Sequence, residues 1–191
     1  MDSATQDEKP GRVAYQGAPG AFSHEACLAL RPWDEAVAFE TFEGAIKALK
    51  SGDCGCALIP VENSTIGIVE PAATLVRALG VAPVAEVWRP IRHALMAVQG
   101  ARLADIRTVE SHPIALAQCE RTLKTLSHIR VIEHYDTAGA ARDVAEAGDP
   151  TRAAIAPVGA AEVYGLSILR NDLQDSSDNQ TRFVLLSFPE G

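Results

Sequence analysis

The chain has 191 residues, 47% of them apolar, and a formal net charge of −8. That length suffices for one large domain or two small lobes with a sizeable core. The negative balance makes nucleic acid and anionic membrane poor partners, no apolar run approaches a membrane span, and any anionic substrate would need local positive potential.

The opening MDSATQDEKPG is acidic and polar with no apolar centre. It is expected to be a loose tail over residues 1–11 rather than a signal peptide. From Arg12 onward, strands and helices alternate. RVAYQG, AVAFET and the apolar CGCALIPVE read as strands, with AFSHEACLALR and FEGAIKALKSG as helices between them. TIGIVEPAATLVRALG reads as a helix whose start Pro71 disturbs. VAPVAEVWRPIRHALMAV gives two strands around Pro90. RTVESH, HIRVIEHY and RAAIAP are further strands, followed by the helices PIALAQCERTLKTL, DTAGAARDVAEAG and VGAAEVYG. Repeated strand–helix units predict an α/β fold of mostly parallel sheet flanked by helices. The last apolar run, Phe183 to Leu186, reads as a buried strand, which puts Thr181 and Arg182 at its mouth.

Several strand-to-helix junctions carry small polar residues: Gly17, Gly20 and Ser23; Glu62, Asn63, Ser64 and Thr65; Ser111 and His112; Asp136 and Thr137. Such residues are good helix N-caps. They also stand at the carboxyl ends of strands, where open α/β sheets bind ligands and where helix N-termini offer N–H groups to an anion. That arrangement would hold a carboxylate or phosphate without many lysines. GAPGAF is neither a Walker loop nor a dinucleotide fingerprint. Cys54 and Cys56 form a C-x-C pair that no second pair completes, so Cys27, Cys54, Cys56 and Cys119 read as free thiols and no metal is expected. Reduced thiols and the lack of a leader suggest a cytoplasmic protein. His93, amid the apolar residues of IRHALM, reads as a satisfied strand histidine.

Taken in order, VAYQGAPGAFSHEA, IPVENSTIGIV, IRHALMAV, ESHPIALAQC, DTAGAA and AAEVYGLSIL…DNQTRFVLLS resemble the catalytic domain of prephenate dehydratase, from Arg12 to Ser187. The resemblance implies two α/β lobes like a type II periplasmic binding protein, with the active site in the cleft between them. Lobe 1 would be residues 12–89 plus 177–191, and lobe 2 residues 90–176. The implied reaction converts prephenate to phenylpyruvate with loss of carbon dioxide and water, without a cofactor. Arogenate replaces prephenate in some members.

By resemblance, Thr181 serves the departing hydroxyl as a positioned donor, and Glu62 is a candidate proton source if burial raises its pKa. Asn63 and Ser64 would hydrogen-bond substrate. Ser23, Ser111, Thr137 and Arg182 would help hold its carboxylates, with Phe183 beside them. Gln118 is also implied, but it lies roughly 10 Å along a helix from Ser111, so both serve one small group only if that helix lies beside the cleft. Ala21 and Ile114 stand where many members carry polar residues. The chain stops at FPEG, where members usually continue into a phenylalanine-sensing domain, so activity insensitive to phenylalanine is expected. The partner is a small molecule, and a homodimer is left open. Two alternatives stand beside this reading: a non-aromatising prephenate decarboxylase, and a non-catalytic solute-binding or sensing module.

Overall fold

The computed structural model describes residues 11–188. Residues 1–10 of the tail expected over residues 1–11 lie outside the described residues, as do residues 189–191. Two sheets divide the strands. The first comprises β1 (Arg12–Gln16), β2 (Glu35–Phe39), β3 (Cys56–Asn63), the short β4 (Gly67–Ile68), β5 (Ala85–Pro90) and β11 (Gln180–Leu186), in the order β2-β1-β3-β11-β5 with β4 beside β3. The second comprises β6 (Ala94–Ala97), β7 (Thr108–Ser111), β8 (Arg130–Glu133), β9 (Arg152–Ala156) and β10 (Ser167–Arg170), in the order β10-β6-β9-β7-β8.

The helices bury apolar stripes against these sheets. In α2 (Phe42–Ser51), Thr41 caps the start by accepting the Gly44 N–H at 3.0 Å, and Gly52 ends it in the left-handed conformation at φ 79°. Ala45, Ile46, Ala48 and Leu49 between them recur at helical spacing and are buried. With α3 (Ala72–Leu79), they pack on one face of the first sheet against Ile59, Val61, Val184 and Leu186. The opposite face carries Val13, Tyr15, Leu58, Phe183 and Leu185 against α1 (Phe22–Leu30). Burial on both faces explains why β3 reads as an almost continuous apolar run. In the second sheet, α6 (Thr137–Ala147) and α7 (Val158–Tyr164) lie close to β6 and β9, because nearly every contact residue is alanine.

The expectation of mostly parallel sheets is revised, because both sheets are mixed. β3 runs through α3 to β5 as a crossover that skips one position, and β11, returning from the second sheet, fills that position antiparallel to both neighbours. In the second sheet β6 runs antiparallel to both β9 and β10. β10 has no counterpart among the sequence-predicted strands, since it is a four-residue edge strand directly after the helix-ending Gly165. Two predicted helices are also shorter than expected. The segment before Pro71 forms β4 rather than helix, and the segment after Pro113 breaks at the fully buried Cys119 into α4 (Pro113–Gln118) and α5 (Glu120–Thr125).

The chain passes from the first sheet to the second between Pro90 and Ala94 and returns between Arg170 and Gln180. The crossings run side by side, with the Ile91 N–H donating to the Asn179 carbonyl at 2.8 Å. A second junction joins the loop before α1 to the second sheet's helices. Tyr164 Oη donates to the Pro19 carbonyl at 2.8 Å, and the Gly159 N–H donates to Glu25 Oε1 at 3.1 Å. Gly20, at φ +87°, lies so close that a Cβ would come within 2.7 Å of Ala160 Cα. Gly20 in GAPG therefore serves a close approach between lobes.

Candidate active site

A cleft of about 360 Å3 opens between the two sheets. The first sheet contributes Asn63 from the end of β3 and Thr181 and Phe183 from β11, with Ser23 from the first turn of α1. The second contributes Gln118 at the end of α4 and Thr137 at the start of α6, while His93 comes from the first crossing. Asn63 and Thr181 are register partners, so both side chains leave the same face of the sheet. Each is almost wholly buried, at 5% and 7% exposure.

The Asn63 carboxamide organises this end of the sheet. Its Oδ1 accepts the backbone N–H groups of Thr65 at 2.9 Å and Ile66 at 3.1 Å, and the Thr65 hydroxyl at 2.7 Å. Those N–H donors fix which end of the amide is oxygen. The Nδ2 group therefore donates in the other direction, to Asn179 Oδ1 and to Thr181 Oγ1, both at 2.8 Å. Thr181 Oγ1 is thus an acceptor toward Asn63, and its own proton has no acceptor among the described residues. A buried hydroxyl in a cleft wall is left with its donor free.

Gln118 completes the wall from the other lobe. Its Oε1 lies 2.8 Å from His93 Nε2, and its Nε2 lies 3.4 Å from Thr65 Oγ1. The helix α4 does lie beside the cleft, so Gln118 reaches it although Ser111 does not. His93, read from the sequence as a satisfied strand histidine, is 2% exposed and lines the cleft, and its Nδ1 has no partner among the described residues. Burial pushes its imidazole below the ordinary histidine range. The charge of neighbouring residues could not have flagged it, because its role depends on which side chain faces it across the crossing.

Four expected site residues lie elsewhere. Glu62 adjoins Asn63 in β3, so strand alternation turns it to the opposite face. There it pairs with its register partner Arg182 at 3.1 Å, both partly exposed, and it does not reach the cleft. Arg182 is turned away by the same alternation, toward Glu62, Glu86 and the Trp88 ring. Ser64 Oγ donates to the Asp178 carbonyl at 3.0 Å and accepts the Gln180 N–H at 2.8 Å, which ties the incoming chain to the end of β3. Ser111 is fully buried, and its hydroxyl donates to the Ile155 carbonyl at 2.5 Å inside the second sheet.

Among the described residues, neither lysine nor arginine lines the cleft. Asp136, which does line it, is occupied as the α6 N-cap, accepting the Gly139 N–H at 2.8 Å. An anion entering the cleft would meet the Ser23 and Thr137 hydroxyls at the first turns of α1 and α6, where helix dipoles favour negative charge.

The family model described as prephenate dehydratase matches residues 13–190. The chain belongs to the prephenate dehydratase family. Among its curated relatives, an arogenate dehydratase/prephenate dehydratase of Arabidopsis thaliana is 42% identical over 92% of this chain and 46% of its own length. A bifunctional N-acyl-homoserine lactone acylase/prephenate dehydratase of Komagataeibacter europaeus is 38% identical over 92% of this chain and 62% of its own. Among solved structures, the prephenate dehydratase of Arthrobacter aurescens in complex with L-Phe superposes with a TM-score of 0.82 at 30% identity, covering 94% of this chain and 61% of that one. The chain thus spans about half to two thirds of the length of these family members.

Proposed function

We propose that this domain catalyses the decarboxylating dehydration of prephenate to phenylpyruvate, with arogenate, giving phenylalanine, as the close alternative substrate. The observation that carries this reading is the Thr181 hydroxyl, anchored by Asn63 and facing the cleft with its proton free. In the reaction the ring carboxylate leaves as carbon dioxide, and its bonding pair enters the ring. The ring hydroxyl departs and, with one proton taken up, becomes water. Aromatisation drives the step, and expulsion of hydroxide limits it. A hydrogen bond aimed at that oxygen strengthens as negative charge develops on it, so it lowers the barrier rather than only binding the ground state. A threonine hydroxyl is too weak an acid to surrender its proton outright, so Thr181 acts as a donor and the proton consumed comes from solvent. Ser23, Thr137 and Gln118 would hold the substrate's carboxylates and ring, with Phe183 as the apolar floor.

One relative's name includes acylase activity, but Thr181 fits that chemistry poorly. Among the described residues no His, Asp or Glu is hydrogen-bonded to it to act as the base a nucleophile needs. Incubation with prephenate and, separately, with arogenate tests the proposal. Phenylpyruvate or phenylalanine should form catalytically. A non-aromatic decarboxylated product, or none, would contradict it.

A further inference from the structure

We propose that His93 is a positioning residue for this reaction, its Nε2–H holding the Gln118 carboxamide in the cleft wall at the far end of the hydrogen-bond chain that begins at Thr181 and Asn63; the proposal rests on the dehydratase reading. The chain of bonds is fixed at its Asn63 end. Backbone N–H groups of Thr65 and Ile66 make Asn63 Oδ1 an acceptor. The Thr65 hydroxyl, 2.7 Å from that oxygen, must spend its single proton there, because two oxygens at this distance without a proton would repel. Toward Gln118, Thr65 Oγ1 can then only accept, so the group facing it is the Gln118 NH2. Gln118 Oε1 is left toward His93 and needs a donor, and that donor is the Nε2–H of the imidazole. Every donor and acceptor from His93 in the crossing to Thr181 in the cleft wall is thereby determined. Within this chain of bonds, the 3.4 Å link between Gln118 and Thr65 spans the two lobes, and narrowing the cleft would tighten it.

His93 is itself held so that its Nε2–H meets Gln118. Its N–H donates to Gln174 Oε1 at 2.8 Å, and its carbonyl accepts the Leu173 N–H at 2.9 Å, both from the return crossing. Its ring packs edge-on against Phe22 with centroids 5.4 Å apart. Nδ1 is buried without a partner among the described residues, a cost that a phenyl or isobutyl side chain in the same space would not incur. Retaining an imidazole there is understandable if the Nε2–H is needed. Burial also favours the neutral ring, which has one N–H to place.

The test combines kinetics with a spectroscopic readout on the full chain. His93→Phe should fold but lose about tenfold or more in kcat, with KM changed less, because it leaves Gln118 Oε1 without a partner. His93→Gln, which carries an amide donor near the Nε2 position, should recover activity to within about threefold of the parent. Gln118→Leu should be as slow with His93→Phe added as without it, since His93 acts only through Gln118. Nitrogen-15 NMR of the parent should show the Nε2–H tautomer for His93, whatever the activity. An Nδ1–H tautomer, an unimpaired His93→Phe enzyme, or additive losses in the double variant would overturn the proposal. A parent that aromatises neither substrate would overturn the dehydratase reading instead, and the tautomer would still decide the direction of the hydrogen bonds.

Discussion

Asn63 Nδ2 lies 2.8 Å from Thr181 Oγ1 across the β3–β11 pair, and the amide donates while the hydroxyl accepts. The bond anchors the threonine and leaves its proton for the cleft. Asn63 is consequently read as the residue that orients the donor, and its own hydrogen-bonding capacity is spent inside the protein.

Two substitutions separate these roles. Asn63→Asp keeps an oxygen for the Thr65 and Ile66 N–H groups but replaces the NH2 by an acceptor, which would draw the Thr181 proton away from the cleft. Expected is a folded protein with kcat lowered by about a hundredfold or more. Asn63→Leu leaves buried donors unpaired as well, so it should also lose about 1–3 kcal/mol of stability. Steady-state rates and denaturant melts check both, and an active Asn63→Asp enzyme would contradict the assigned direction.

Glu62→Gln tests whether this carboxylate takes part in the reaction. Glu62 and Arg182 face away from the cleft as a partly exposed pair, and such pairs contribute about 0–1 kcal/mol. Turnover should stay within about threefold of the parent and stability within about 1 kcal/mol. A hundredfold loss in kcat would restore Glu62 as a proton source.

Strand–helix alternation is legible in the sequence because burial periodicity acts locally. Ordered motifs carry Thr181, Asn63, Ser23, Thr137 and Gln118, and all five line the cleft. Glu62 and Arg182 were misplaced because motif adjacency ignores that neighbouring strand residues face opposite ways. Ser111 and Ser64 were misplaced because a hydroxyl at a junction serves a carbonyl of the fold as readily as a ligand. β10 and the fixed direction of the His93–Gln118 bond depend on pairing between distant segments, which no local pattern encodes.

Gly20→Ala probes the junction between the lobes. A Cβ there would meet Ala160 Cα at 2.7 Å, and φ is +87°. The added strain should cost about 1–3 kcal/mol and lower the melting temperature by a few degrees. Because Gly20 precedes Ser23 at the cleft wall, KM should rise as well. An unchanged melt would mean that the lobes yield at this contact.

Stability should also depend on pH through His93 and His24, both held below the ordinary value of 6.5 by burial. The unfolded chain takes up protons on these rings near pH 6.5, whereas the folded chain does so only at lower pH. Stability is therefore fully present above about 6.5 and is lost as pH falls below it toward the folded-state values. Melting temperatures between pH 5.5 and 8 should be level at the upper end and fall at the lower end. His93→Gln, lacking one of the two groups, should show a shallower fall. A melting temperature that rises on acidification would contradict the assignment.

The most direct measurement is kcat for Thr181→Val, with aromatic product followed from prephenate or arogenate. Valine keeps the β-branched shape and strand propensity and removes only the hydroxyl. If Thr181 donates to the departing oxygen, the loss falls in the transition state, and removing one preorganised donor costs about 100- to 1,000-fold in kcat with KM little changed. A Thr181→Val protein with the parent's melting temperature and a kcat within a few-fold of it would contradict the mechanism.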